Sequence, residues 1–192
     1  GGWSDTPPIS YEFGGAVVCL AVQINRRKPL SARCRRTQTF KGIKLTVESR
    51  DINTGDLISS SSVHVKKVQD LSDFRNPRAK CALLKCAILA LKLVSVVSST
   101  DTTDMDSILS SLLGESIGLE IISTSMLPQG SGLGTSSILA GCVLSCLGQC
   151  VGIDEVKDLP FLIKTVLNLE QLLSTGGGWQ GKMNLELFSN LL

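Results

Sequence analysis

Apolar residues first gather between Gly14 and Asn25, where Gly-Gly-Ala-Val-Val-Cys-Leu-Ala-Val-Gln-Ile-Asn reads as a buried strand closed by the polar turn Asn25-Arg26-Arg27-Lys28-Pro29. Leu30 to Arg36, Ile43 to Ser49 and Val63 to Gln69 follow as short segments with β-branched content or alternation, bounded by glycine, asparagine or serine. They predict an antiparallel layer. The period then changes. Asp73 is placed to cap a helix with Pro77 near its first turn, and Leu83, Leu84, Ala87, Ile88, Leu91 and Val94 keep helical spacing, so a long helix over the sheet is expected. The polar stretch Ser98 to Asp106 precedes a short helix ending near Gly114, and Leu119-Glu120-Ile121-Ile122 returns to strand character. Thr135 to Cys150 fits a helix of small and apolar residues, and Asp154 is placed to cap another running through Leu159 to Leu173. Strands first and helices later predict the α+β class. Gly181 to Leu192 has no place in this pattern and reads as a divergent tail behind a domain spanning 1–180.

Composition narrows the function classes. With 192 residues, 43% of them hydrophobic, the chain can bury a real core. Its 19 basic and 17 acidic residues give a net charge of +2, so nucleic acid and anionic membrane are not expected partners. The basic cluster Arg26, Arg27, Lys28, Arg33, Arg35 and Arg36 has only Phe40 nearby and lacks interleaved aromatics for stacking bases; it reads as a solvated sheet edge, with a phosphate-binding patch as the minority alternative. Cys81 to Ser98, the most apolar stretch, carries Lys85 and Lys92 and predicts a buried helix, not a membrane span. The opening Gly1-Gly2-Trp3-Ser4-Asp5 is not a secretory signal, and a cytoplasmic location is expected.

Seven cysteines, Cys19, Cys34, Cys81, Cys86, Cys142, Cys146 and Cys150, include no CxxC pair and accompany a single histidine, His64. This spacing supports neither a disulfide framework nor a zinc site. Cys142, Cys146 and Cys150 recur every four residues on the predicted helix and are expected as small apolar core residues, with a thiolate cluster as the alternative.

The candidate chemistry lies in Gly130-Ser131-Gly132-Leu133-Gly134-Thr135-Ser136-Ser137, where a strand gives way to three glycines and then to hydroxyl residues opening a helix. Glycines let the backbone approach a bulky anion, and a helix start offers N–H groups at the positive end of the macrodipole. Thr135, Ser136 and Ser137 add hydroxyls that can donate to phosphate, and one of them can ligate Mg²⁺. A tight turn with serines capping the helix is the alternative for glycines alone. A Walker A loop is excluded because Gly134, not lysine, precedes Thr135. A Rossmann fingerprint fits poorly, since the third glycine comes one residue early and Asp154 sits at a predicted helix start.

Pro128-Gln129-Gly130-Ser131-Gly132-Leu133-Gly134-Thr135-Ser136-Ser137 resembles the second motif of the GHMP kinases, Pro-x-x-x-Gly-Leu-Gly-Ser-Ser. Gly1-Gly2-Trp3-Ser4-Asp5-Thr6-Pro7-Pro8 is similar to the sugar-contacting first motif of the fucokinase branch, and Thr175-Gly176-Gly177-Gly178-Trp179-Gln180 resembles that branch's third landmark. The resemblance implies a ribosomal-S5-domain-2-like N-terminal domain, truncated at both ends, that binds ATP and Mg²⁺ and serves transfer of the γ-phosphate to the anomeric hydroxyl of L-fucose. It also implies sugar contacts from Trp3, Asp5, Gly177 and Gly178, phosphate contacts from Gly130 to Ser137, and Ser136 as the magnesium ligand. In the fucokinase pattern an aspartate follows the glycines, Trp and Gln as the catalytic carboxylate; Gly181 stands there in this chain. A glycine cannot accept the hydroxyl proton. The chain as written is therefore expected to be inactive or nearly so, with a non-catalytic ATP- or sugar-binding module, or a relative of the heptose kinases, as the alternative readings.

Overall fold

A computed structural model of the chain describes residues 12, 28–94, 98–114, 117–128 and 134–173. The strand expected over Gly14 to Asn25 and the tail from Gly181 lie outside these residues. Four strands, β1 (Leu30–Thr37), β2 (Ile43–Arg50), β3 (Leu57–Val65) and β4 (Gly118–Ser125), form one sheet in the order β1-β4-β2-β3. The helices among the described residues are α1 (Ala82–Ala90), α2 (Met105–Leu113), α3 (Thr135–Val151) and α4 (Leu159–Leu172), with 3₁₀ turns at Val68–Leu71 and Asp154–Lys157. The class is α+β, as the order of patterns predicts.

The layer is mixed, not antiparallel as expected. β4 pairs antiparallel with β1 and parallel with β2, while β2 and β3 form an antiparallel hairpin. β4 thus enters between two strands that precede it in the chain and is buried along its first half. Alternation sorts the two faces. Ile43 and Leu45 of β2, Leu119 and Ile121 of β4, and Val65 of β3 join Leu84, Ile88, Leu144, Leu147, Val166 and Leu169 of the helices in one core.

The opposite face carries a charged row in which Arg35, Glu120, Lys44 and His64 stand side by side across β1, β4, β2 and β3. Glu120 takes Arg35 at 2.5 Å and Lys44 at 3.4 Å. Burial alone pushes its carboxyl upward, but hydrogen bonds and charge from Arg35 and Lys44 outweigh this and hold it below the ordinary glutamate range. A carboxyl depressed by folding contributes stability above its unfolded value and loses that contribution as pH falls through the folded value. Acid titration of Glu120→Gln against the unaltered chain, followed by circular dichroism, is expected to show a smaller loss of stability below about pH 4.3 in the variant.

Three local expectations are corrected. β3 begins at Leu57, not Val63, and ends at Val65, because Ser59 to Ser62 lie on an exposed edge where small polar side chains keep the ladder to β2. The helix placed after Asp73 starts only at Ala82, with turns between. Asp73 instead receives the amine of the buried Lys85 at 2.5 Å, which leaves the capping role unfilled. Asp158, not Asp154, caps α4, its carboxylate accepting from the Phe161 N–H at 3.0 Å with Pro160 in the first turn. Asp154 belongs to the preceding 3₁₀ turn and pairs with Lys157.

Candidate functional site

β4 ends at Ser125, where the Met126 N–H bonds the Pro29 carbonyl at 2.8 Å and the Ser125 hydroxyl donates to the Leu127 carbonyl at 3.1 Å. These contacts fix the lip from which the glycine segment departs. Gly130, Ser131, Gly132 and Leu133 lie outside the described residues, as do Trp3, Asp5, Gly177, Gly178 and Gly181.

Gly134 is described, and it opens α3 with φ of 66°, a left-handed conformation that suits glycine. Its carbonyl accepts the first helical bond from Ile138 at 3.3 Å, and no side chain caps the helix. The first turn therefore presents backbone N–H groups and the positive dipole end next to Thr135, Ser136 and Ser137. These three hydroxyl residues differ in setting: Thr135 is half-buried, Ser136 exposed and Ser137 buried.

Sequence reading missed the side chain that meets them. Ser137 Oγ donates to Glu170 Oε1 of α4, and both residues are buried, Glu170 being only 4% exposed. The fold explains the meeting. α3 and α4 are joined by the short 152–158 segment, and Gly148 of α3 seats Val156 of that segment, so α4 returns antiparallel and brings its last turn to the start of α3. A signal was present in the sequence: Val166, Leu169, Glu170 and Leu173 occupy the i, i+3, i+4, i+7 stripe that should be wholly apolar. A carboxylate in that stripe is costly unless it is bonded.

Ser136, Ser137 and Glu170 offer hard oxygen ligands of the kind Mg²⁺ takes. No cluster of three or more His, Cys, Asp or Glu suited to a metal ion occurs among the described residues. That donor set fits an ion held by one carboxylate, hydroxyls and substrate phosphates rather than by an all-protein cage. No described helix is long and apolar enough to cross a membrane.

Arg26 and Arg27 lie outside the described residues; the arginines of β1 take two roles. Arg33 and Arg35 lie exposed on the outer face, while Arg36 turns to the helix side and donates from Nε to the Cys150 carbonyl at 2.8 Å. Cys142, Cys146 and Cys150 are half-buried along α3; Cys150 packs against the core as expected, whereas Cys142 and Cys146 are not among the residues that form it.

No family model matches the chain. Among curated proteins, it is 33% identical over 180 residues to the L-fucokinase/L-fucose-1-P guanylyltransferase of Bacteroides fragilis, covering 94% of this chain and 17% of that protein. It is 33% identical over 184 residues to the bifunctional fucokinase/GDP-fucose pyrophosphorylase of Arabidopsis thaliana, covering 95% of this chain and 15% of that protein. The chain spans about a sixth of the length of the curated relatives it matches, and along nearly all of its own length it is related to proteins named for fucokinase activity.

Proposed function

We propose that the chain is the nucleotide-binding half of an ATP-dependent sugar kinase of the fucokinase type, with the ribosomal-S5-like N-terminal fold of the GHMP kinases over 1–180. The observation that carries this reading is the buried Ser137–Glu170 contact at the start of the helix that follows the glycine segment. A buried carboxylate beside a helix N-terminus supplies the acidic oxygen that a magnesium ion shared with substrate phosphates takes.

In this reading the backbone N–H groups from Gly130 to Gly134 and the first turn of α3 hold the phosphates, with Thr135 donating a hydroxyl. Ser136 and Glu170 would hold Mg²⁺, and Ser137 orients the Glu170 carboxylate by its hydrogen bond. When bound, Mg²⁺ neutralises charge on the β- and γ-phosphate oxygens. Trp3, Asp5, Gly177 and Gly178 are proposed to contact L-fucose, whose anomeric hydroxyl is the acceptor. Position 181 would face that hydroxyl, and a glycine there supplies no group to take its proton.

Gly181 favours a second reading, a non-catalytic ATP- or sugar-binding module. Titration calorimetry with ATP and Mg²⁺, paired with an assay of fucose-dependent ADP release, separates the two. The expected result is metal-dependent ATP binding with ADP release near background, and a rise in release on Gly181→Asp. Binding without any gain from Gly181→Asp supports the module, and no ATP binding at all sinks the kinase reading and leaves the module only as a sugar binder, which titration with L-fucose then tests.

A further inference from the structure

At the end of the sheet opposite the glycine segment, β1 and the last turn of α3 bring thiols together. Cys34 and Arg36 of β1 pair with Ile121 and Leu119, whose side chains belong to the core, so both face the helices. Arg36 Nε reaches the Cys150 carbonyl at 2.8 Å, which pins the end of α3 over the end of β1. Cys34, two residues before Arg36 on the same face, is thereby set toward Cys150, and Cys146 lies one turn earlier on α3. All three cysteines are reduced and half-buried, so small reagents can reach them.

We propose that Cys150 and Cys34 form a thiol pair that a hydroperoxide converts to a reversible disulfide, a modification site separate from the nucleotide site and independent of its assignment. The pairing is asymmetric. Interaction with Cys34, with the Arg36 guanidinium nearby, lowers the Cys150 thiol below the ordinary cysteine range, while interaction with Cys150 and burial push Cys34 up. Cys150 is therefore the attacking thiolate and Cys34 the resolving thiol.

The Cys150 thiolate attacks one peroxide oxygen; an S–O bond forms, the O–O bond breaks, and the departing oxygen leaves as water or alcohol after taking a proton. Cys34, losing its proton, then attacks the sulfenic sulfur; the S–S bond forms, the S–O bond breaks, and water leaves. Two electrons pass from the two sulfurs to the peroxide. A dithiol reverses the change by exchange. The bond would tie β1, at the edge of the described sheet, to α3, two elements nearly a hundred residues apart in the chain.

The test is hydrogen peroxide at one equivalent on the purified protein, followed by alkylation and peptide mapping. The expected product is a Cys34–Cys150 linked peptide, formed while Cys81 and Cys86 stay alkylatable and removed by dithiothreitol. In Cys34→Ser the link is lost and dimedone traps a sulfenic acid on Cys150; in Arg36→Gln alkylation of Cys150 at neutral pH slows roughly tenfold. A link through Cys19 or Cys146 instead, or a sulfenic acid on Cys150 of the unaltered protein with no link, overturns the proposal. So does a Cys150 that reacts no faster than Cys81 and Cys86.

Discussion

Replacing Glu170 with glutamine is expected to weaken ATP binding about ten- to a hundredfold in the presence of Mg²⁺ and to leave it unchanged or tighter when the metal is chelated. Glutamine keeps the shape of the side chain and a carbonyl oxygen that can accept from Ser137, so the packing at the start of α3 persists. What it removes is the negative charge. In the proposed site that charge would be a ligand when metal is present, and each tenfold loss corresponds to about 1.4 kcal/mol. With metal absent, the same charge would face the phosphates and repel them. A purely structural Glu170 would give equal affinities with and without metal relative to the unaltered chain. Calorimetric titrations of both proteins with and without a chelator decide it, and parallel losses in the two conditions would remove Glu170 from the magnesium site.

The second large effect lies away from the ligands. A Cβ placed on Gly148 would come within 2.3 Å of one Val156 methyl carbon and 2.9 Å of the other, far inside contact distance. Val156 is itself buried, at 2% exposure, so it has little room to retreat. Gly148→Ala should therefore cost about 2 kcal/mol despite the better helix propensity of alanine. For a chain of this size that corresponds to a fall in melting temperature of roughly 4–8 °C. Val156→Ala removes both methyl carbons and leaves only the Cβ at 3.1 Å, so the double variant is expected to be more stable than the sum of the single losses by about 1 kcal/mol. Thermal melts of the four proteins measure this coupling, and simple additivity would show that the contact is not what holds α3 and α4 together.

The parts of the fold legible in the sequence are those where one physical rule acts alone. β1, β2, α2, β4 and α3 follow their period and their bounding residues closely. Difficulty arose where two roles compete for one residue. Asp73 and Asp154 both look like caps, yet one serves a buried lysine and the other an exposed one, and only the spatial neighbour distinguishes them. The four serines of β3 read as a boundary because serine favours turns, whereas pairing with β2 holds them extended. The mixed topology is invisible to any local rule, since the parallel pairing of β2 with β4 joins segments separated by two helices.

The candidate site divides in the same way. The hydroxyl start of α3 was legible because glycine followed by small hydroxyl residues is a local pattern. Glu170 was not recognised because its significance comes from where α4 returns, although its place in an apolar stripe marked it as an exception. The thiol pair is likewise a product of register. Cys34 and Cys150 gain chemistry from the alignment of β1 with the end of α3, and an even spacing along the helix says nothing about the strand.

The position of β4 has a consequence for synthesis. β1 and β2 follow one another in the chain but do not pair; each waits for a strand made only after β3, α1 and α2 have left the ribosome. At about 5–20 residues per second, the nascent chain carries those two strands without their common neighbour for several seconds. During that interval the β2–β3 hairpin can form, but the inward edges of β1 and β2 remain open to other strands. The protein should thus depend more on chaperone cover before Gly118 emerges than after Ser125 does, and ribosome-stalled chains ending on either side of β4 should differ sharply in chaperone association.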